Sequence, residues 1–95
     1  MALFTATLTY TDDAEKIAQV RPTHREYLKT LVDSGKLHES GPFTDDSGAL
    51  IIYVADSEAD ARELLANDPF TVNGVITEAV VKEWKIVMST VGTAS

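Results

Sequence analysis

The chain has 95 residues, 15 acidic against 8 basic side chains, a net charge of -7 and no cysteine. That length closes one core and so one domain spanning residues 1–95. The scattered Lys and Arg in an acidic chain argue against nucleic acid or an anionic membrane as partner, and without cysteine neither a disulfide framework nor a thiolate metal site can form. Hydrophobic content of 44% and charged content of 24% are those of a soluble globular chain. With no membrane-length apolar stretch and no leader pattern, a cytoplasmic protein is expected.

Residues 2–10 alternate as a strand, with Phe4, Ala6, Leu8 and Tyr10 on one face and Leu3, Thr5, Thr7 and Thr9 on the other. Asp12 followed three residues later by Glu15 resembles a capping box that opens a helix. The helix should run to about Ser34 and stop at Gly35. Within it, Ile17, Val20, His24, Leu28 and Leu31 fall at spacings of three or four, one face turned to the sheet. His24 is thus an ionisable group pointed at the core from an apolar stripe: either a core histidine satisfied by one hydrogen bond or a working base. Arg21 is its neighbour one turn earlier. Pro22 either begins a new helical segment or kinks a longer one.

Leu37 to Phe43 reads as a short strand, and Gly41-Pro42 confines it to an edge, a bulge or a strand end. Alternation puts His38 and Ser40 on one of its faces, with His38 expected as a solvated edge residue. Thr44-Asp45-Asp46-Ser47-Gly48 is a turn by composition, making a hairpin with Ala49–Ala55. That next strand is apolar on both faces, Leu50, Ile52 and Val54 on one, Ile51 and Tyr53 on the other, so it should be central and covered twice. Ser57 with Asp60 caps a second helix that ends near Asn67, because Pro69 biases Asp68 away from helical geometry. Asp68-Pro69-Phe70 is expected as an extended corner, Asn73-Gly74 as a turn, and Glu78 to Met88 as the last strand. The tail Gly92–Ser95 is expected to fray.

The order β-α-β-β-α-β is the split pattern of ferredoxin-like α+β folds: a four-stranded antiparallel sheet with two helices on one face. The other face would be apolar and uncovered, and a second copy of the sheet is its natural cover, so a homodimer is expected.

Arg21 and His24 with Tyr27-Leu28, then Gly35 and Leu37, Gly41-Pro42 with Asp46 and Gly48, Asp68-Pro69-Phe70 and finally Trp84 form an ordered series. It resembles the YciI-like (YCII-related) family over residues 3 to about 86. Each piece is weak alone; their order and spacing are specific. The resemblance implies a dimeric α+β barrel and a His–Asp pair as active site, which fall on His24 and Asp68. It further implies that acid–base chemistry is possible, since a relative eliminates chloride from a hydroxylated aromatic ring. Pro22 directly after Arg21 and the adjacent acids Asp45 and Asp46 depart from the family pattern and bear on the pocket mouth.

A histidine held by a carboxylate is a general base of fixed tautomer. Arg21 would then hold an anionic substrate group or orient Asp68, or else be a plain surface charge, and Ser40, Gly41 and Pro42 would line the substrate site. No metal is expected, because His24, His38 and the scattered acids lack ligand spacing. No cofactor is expected either: the five glycines form no phosphate loop and no nucleophile elbow occurs. Tyr10, Tyr53 and Trp84 read as core or dimer packing rather than a ligand-stacking wall. Two functions remain: a cofactorless enzyme moving a proton on a small cyclic or aromatic organic acid by elimination or isomerisation, or a non-catalytic dimeric small-molecule-binding protein.

Overall fold

The structure is a computed structural model that describes residues 1–90, so the expectation for 92–95 lies outside the described residues. Its elements are β1 (Ala2–Tyr10), α1 (Ala14–Asp33), β2 (Leu37–Pro42), β3 (Gly48–Ala55), α2 (Glu58–Ala66), α3 (Pro69–Val72) and β4 (Ile76–Trp84). The four strands pair antiparallel in the order β2-β3-β1-β4, the ferredoxin-like arrangement. Both central strands, β1 and β3, are the ones whose sequences are apolar enough to be buried.

The helix-covered face carries Phe4, Ala6 and Leu8 from β1, Ala49, Ile51, Tyr53 and Ala55 from β3, Leu37 from β2 and Val81 from β4. They pack with Leu31 of α1 and with Ala61 and Leu65 of α2. Register therefore decides what the sequence left open: Ile51 and Tyr53 lie under the helices, while Leu50, Ile52 and Val54 belong to the helix-free face. Val80 and Trp84 join that face from β4 and stand well exposed. Among the described residues no helix is long and apolar enough to cross a membrane.

Four local expectations are corrected, and the two open readings of Pro22 are resolved. The cap of α1 is Asp13, not Asp12: its side chain accepts from the Lys16 N–H at 3.1 Å. Pro22 begins no new segment; α1 runs through it, forgoing one backbone bond. Asp68 is extended (φ -67°, ψ 129°), yet Pro69 then opens a third, one-turn helix instead of continuing a corner. Asn73 closes that helix and Gly74, at φ 74°, reverses the chain into β4. The last strand starts earlier and stops at Trp84, leaving Val87 and Met88 exposed beyond it. Finally, β2 carries a register shift between Leu37 and Glu39, so His38 and Ser40 do not share a face as simple alternation requires.

The β2–β3 turn is built by its acids. Asp45 Oδ1 accepts from both the backbone N–H and the hydroxyl of Ser47, at 3.0 and 2.6 Å, bonds that hold its pKa below the ordinary 3.8. Asp46 takes the left-handed conformation at φ 63°, which a short polar side chain tolerates. Gly48 then passes so close to β1 that a Cβ would sit 1.8 Å from the Leu8 carbonyl oxygen. This close approach lays the end of the hairpin beside Tyr10, whose N–H donates to Ser47 O at 2.9 Å.

Candidate active site

α1 presents His24 to the protein interior two residues after Pro22, and α3 brings Asp68 to meet it. His24 Nδ1 lies 2.7 Å from Asp68 Oδ1 across 44 residues of sequence, with Asp68 fully buried and His24 7% exposed. The local reason is the cap of α3. Asp68 precedes a proline, which holds its backbone extended, and its Oδ1 also accepts from the Phe70 N–H at 2.9 Å. The same oxygen therefore caps a helix and holds the imidazole. An acceptor on the Nδ1 side assigns the proton there, leaving Nε2 as the basic nitrogen of the neutral ring. Asp68 Oδ2 is buried with no hydrogen-bond partner among the described residues.

The ring of His24 is further fixed by stacking. Phe70 lies parallel to it, centroids 3.8 Å apart and planes within 3°, and Tyr10 meets Phe70 edge-on at 5.3 Å. Across the helix layer, the Tyr27 hydroxyl donates to Leu64 O at 2.7 Å and Thr71 Oγ1 to Leu65 O at 2.7 Å. These bonds tie α1 to α2, and α2 to α3, the elements that carry the pair.

In front of His24 is a cavity of about 190 Å³ lined also by Tyr10, Arg21, Arg25, Leu28, Ser40, Gly41, Pro42, Ala49, Ile51 and Phe70. The volume suits a one-ring molecule, since a cavity of about 150 Å³ accepts benzene. Burial pushes the Tyr10 phenol above its ordinary range; Arg21 and Arg25 pull it down and Asp68 pushes it up. A larger cavity of about 530 Å³ lies at the other end of the sheet, among Met1, Lys36, Asp56, Asp60, Glu63 and Asn67. It contains no paired acid and base, so the chemistry points to the smaller one.

Of the residues singled out in the sequence, His24, Arg21, Ser40, Gly41 and Pro42 line one cavity, and Asp68 lies behind His24 without reaching it. The shift at His38 explains Ser40: beyond it, Ser40 and Pro42 pair with Ile51 and Ala49 on the helix-covered side. His38 is not in the cavity. Its Nδ1 is 3.0 Å from Glu39 Oε2 but lacks hydrogen-bond geometry. Neither Asp45 nor Asp46 reaches the cavity. Sequence reading missed Phe70, Tyr10 and Arg25. Arg25 was legible from its four-residue spacing to Arg21, whereas the Phe70 stack depends on where α3 docks.

A ferredoxin-like sheet with a carboxylate-held histidine in a one-ring cavity defines a class of small α+β proteins. Within it this chain belongs to the YCII-related family, whose domain model matches residues 2–85. It is 36% identical to an uncharacterised Bacillus subtilis protein, YjpA, across 66% of this chain and 73% of that one. It is 30% identical to the derivative of benzaldehyde biosynthesis cluster protein C of Emericella nidulans, across 70% and 79%. Among solved structures it resembles 5-chloro-2-hydroxyhydroquinone dehydrochlorinase (TftG) of Burkholderia phenoliruptrix AC1100, in complex with 2,5-dihydroxybenzoquinone. The TM-score is 0.76 at 27% identity, covering 87% of this chain and 93% of that one.

Proposed function

We propose that the protein is a cofactorless acid–base enzyme acting on a small cyclic or aromatic organic acid, with His24 as base and Asp68 as its holder. The observation that carries this reading is the 2.7 Å contact of a fully buried carboxylate with Nδ1 of a cavity-lining imidazole. Asp68 fixes the tautomer and stabilises the imidazolium formed when Nε2 takes a proton from a ring carbon or hydroxyl. The electron pair left behind enters the ring. In an elimination it expels the leaving group as an anion, so the ring loses one proton and one anion. In an isomerisation the imidazolium returns the same proton at another position. Arg21, Ser40, Gly41 and Pro42 contact the substrate. The likeness to a dehydrochlorinase of a hydroxylated ring supports this class of chemistry.

The active form is a homodimer joined through the helix-free sheet face, where Leu50, Val54, Val80 and Trp84 form an apolar surface that no element among the described residues covers. The setting is cytoplasmic: a chain without cysteine needs no oxidising compartment to fold.

The test is chloride release from 5-chloro-2-hydroxyhydroquinone, beside binding of 2,5-dihydroxybenzoquinone, for wild type, His24→Ala and Asp68→Asn. Turnover should vanish in the first variant and fall about a hundredfold or more in the second, both remaining folded. Wild-type turnover in His24→Ala overturns the reading. The second reading, a binding protein without turnover, is favoured by Asp68 doubling as the α3 cap. It requires ligand binding with no chemistry, and lower melting temperatures in both variants.

A further inference from the structure

We propose that Arg21 and Arg25 form a two-guanidinium clamp that selects substrates bearing a delocalised negative charge, an ionised ring hydroxyl or a ring carboxylate. The inference rests on the reading of the His24 cavity as a substrate site, and names what that site takes.

Both side chains line the cavity. Their positions differ by four, so they are neighbours on one face of α1, flanking His24. Like charges at that spacing destabilise a helix, and the sequence compounds the cost by setting Lys29 four residues further on. Two other cations on helices do meet a carboxylate within a turn: Lys29 on Asp33 at 3.4 Å and Arg62 on Glu58 at 2.8 Å. Among the described residues neither Arg21 nor Arg25 has a carboxylate within ion-pair distance, in a chain with 15 acids for 8 bases.

The chemistry of the mouth fits the same ligand. Guanidinium is planar and offers paired donors to two oxygens, the geometry of a carboxylate or of adjacent ring oxygens. Tyr10 lines the same cavity, and its phenol lies within the field of both guanidiniums. Cavity volume limits the ligand to one ring. The net charge of -7 repels anions at long range, so the two arginines reverse the sign of the potential only locally. An anion held there also keeps its charge beside the imidazolium that His24 becomes.

Calorimetric titration of the 95-residue protein tests this with three one-ring probes: 2,5-dihydroxybenzoquinone (a vinylogous acid ionised at neutral pH), benzoate, and uncharged hydroquinone. Wild type should bind at least one of the anions about tenfold or more tighter than hydroquinone. Arg25→Gln and Arg21→Gln should each lose about tenfold on that anion, leave hydroquinone unchanged and melt at or slightly above the wild-type temperature, since each removes a like-charge contact on α1. Loss confined to the quinone assigns the clamp to ring oxyanions, and loss on benzoate extends it to carboxylates. Arg25→Lys should recover part of the loss, because it keeps the charge without the fork. The clamp is overturned if hydroquinone binds as tightly as both anions, or if the Arg21→Gln/Arg25→Gln double variant binds the anions like wild type. His24→Ala separates the two ideas. It should still bind the anion, so wild-type turnover in that variant refutes the acid–base reading and spares the clamp.

Discussion

The two faces of the sheet use the same residue types to different ends. Under the helices, Ile51, Tyr53, Phe4 and Val81 are nearly inaccessible, and in the same layer lies the buried contact between His24 and Asp68. On the other face Leu50, Val54, Val80 and Trp84 are just as apolar and remain partly open, with only Ile52 between them shielded by its neighbours to 5%. Hydrophobicity along β3 does not tell the faces apart; what lies over them does. A covered apolar layer can exclude water from a polar pair, whereas an uncovered one can only recruit another surface.

The sharpest test of that contrast is a charge introduced on each side. Leu8→Asp would bury an unpaired carboxylate where the wild-type side chain is 1% exposed. It should cost about 4 kcal/mol or more, read as loss of the cooperative melting transition by circular dichroism. The double change Val80→Glu/Trp84→Glu falls on side chains 45% and 43% exposed. Its circular dichroism spectrum should stay folded while sedimentation gives a 10.3 kDa monomer in place of a dimer. A wild-type protein that already sediments as a monomer at micromolar concentration would remove the homodimer.

Within the covered face, substitutions at Asp68 divide its two duties. Asp68→Asn keeps a good helix cap and should melt near wild type, although the amide cannot hold the imidazolium. Asp68→Ala loses the cap as well, a further cost of about 1 kcal/mol in thermal unfolding. Equal stability of the two variants would mean that α3 does not depend on its cap. The smallest effect is expected at Tyr53, whose hydroxyl is buried with no partner among the described residues and whose ionisation burial strongly opposes. Tyr53→Phe should raise stability by about 1 kcal/mol, measured by denaturant titration. A loss of similar size would show that the hydroxyl is satisfied in solution.

Much of this molecule follows from local pattern. Alternation in residues 2–10 and 49–55, the caps at Ser57 and near Asp13, and the punctuation at Gly35 and Asn67 are short-range effects, and they yield the element order and hence the fold. His24 was conspicuous because an ionisable group on an apolar stripe breaks the pattern of its own helix.

Partners were not legible in the same way. Which face of β3 is covered depends on strand register against β1, and a one-residue slip reverses it. Ser40 reaches the cavity only because β2 shifts register beside His38. Asp68 was linked to His24 by family likeness, and nothing local states that its Oδ1 would serve a helix cap and an imidazole at once. The stack of Phe70 on His24 requires α3 to dock against α1. Sequence thus determined the elements, their order and the odd residue out, because caps, turns and periodicity act over a few residues. Tertiary structure alone decided what faces what, because register and docking bring together side chains 44 positions apart.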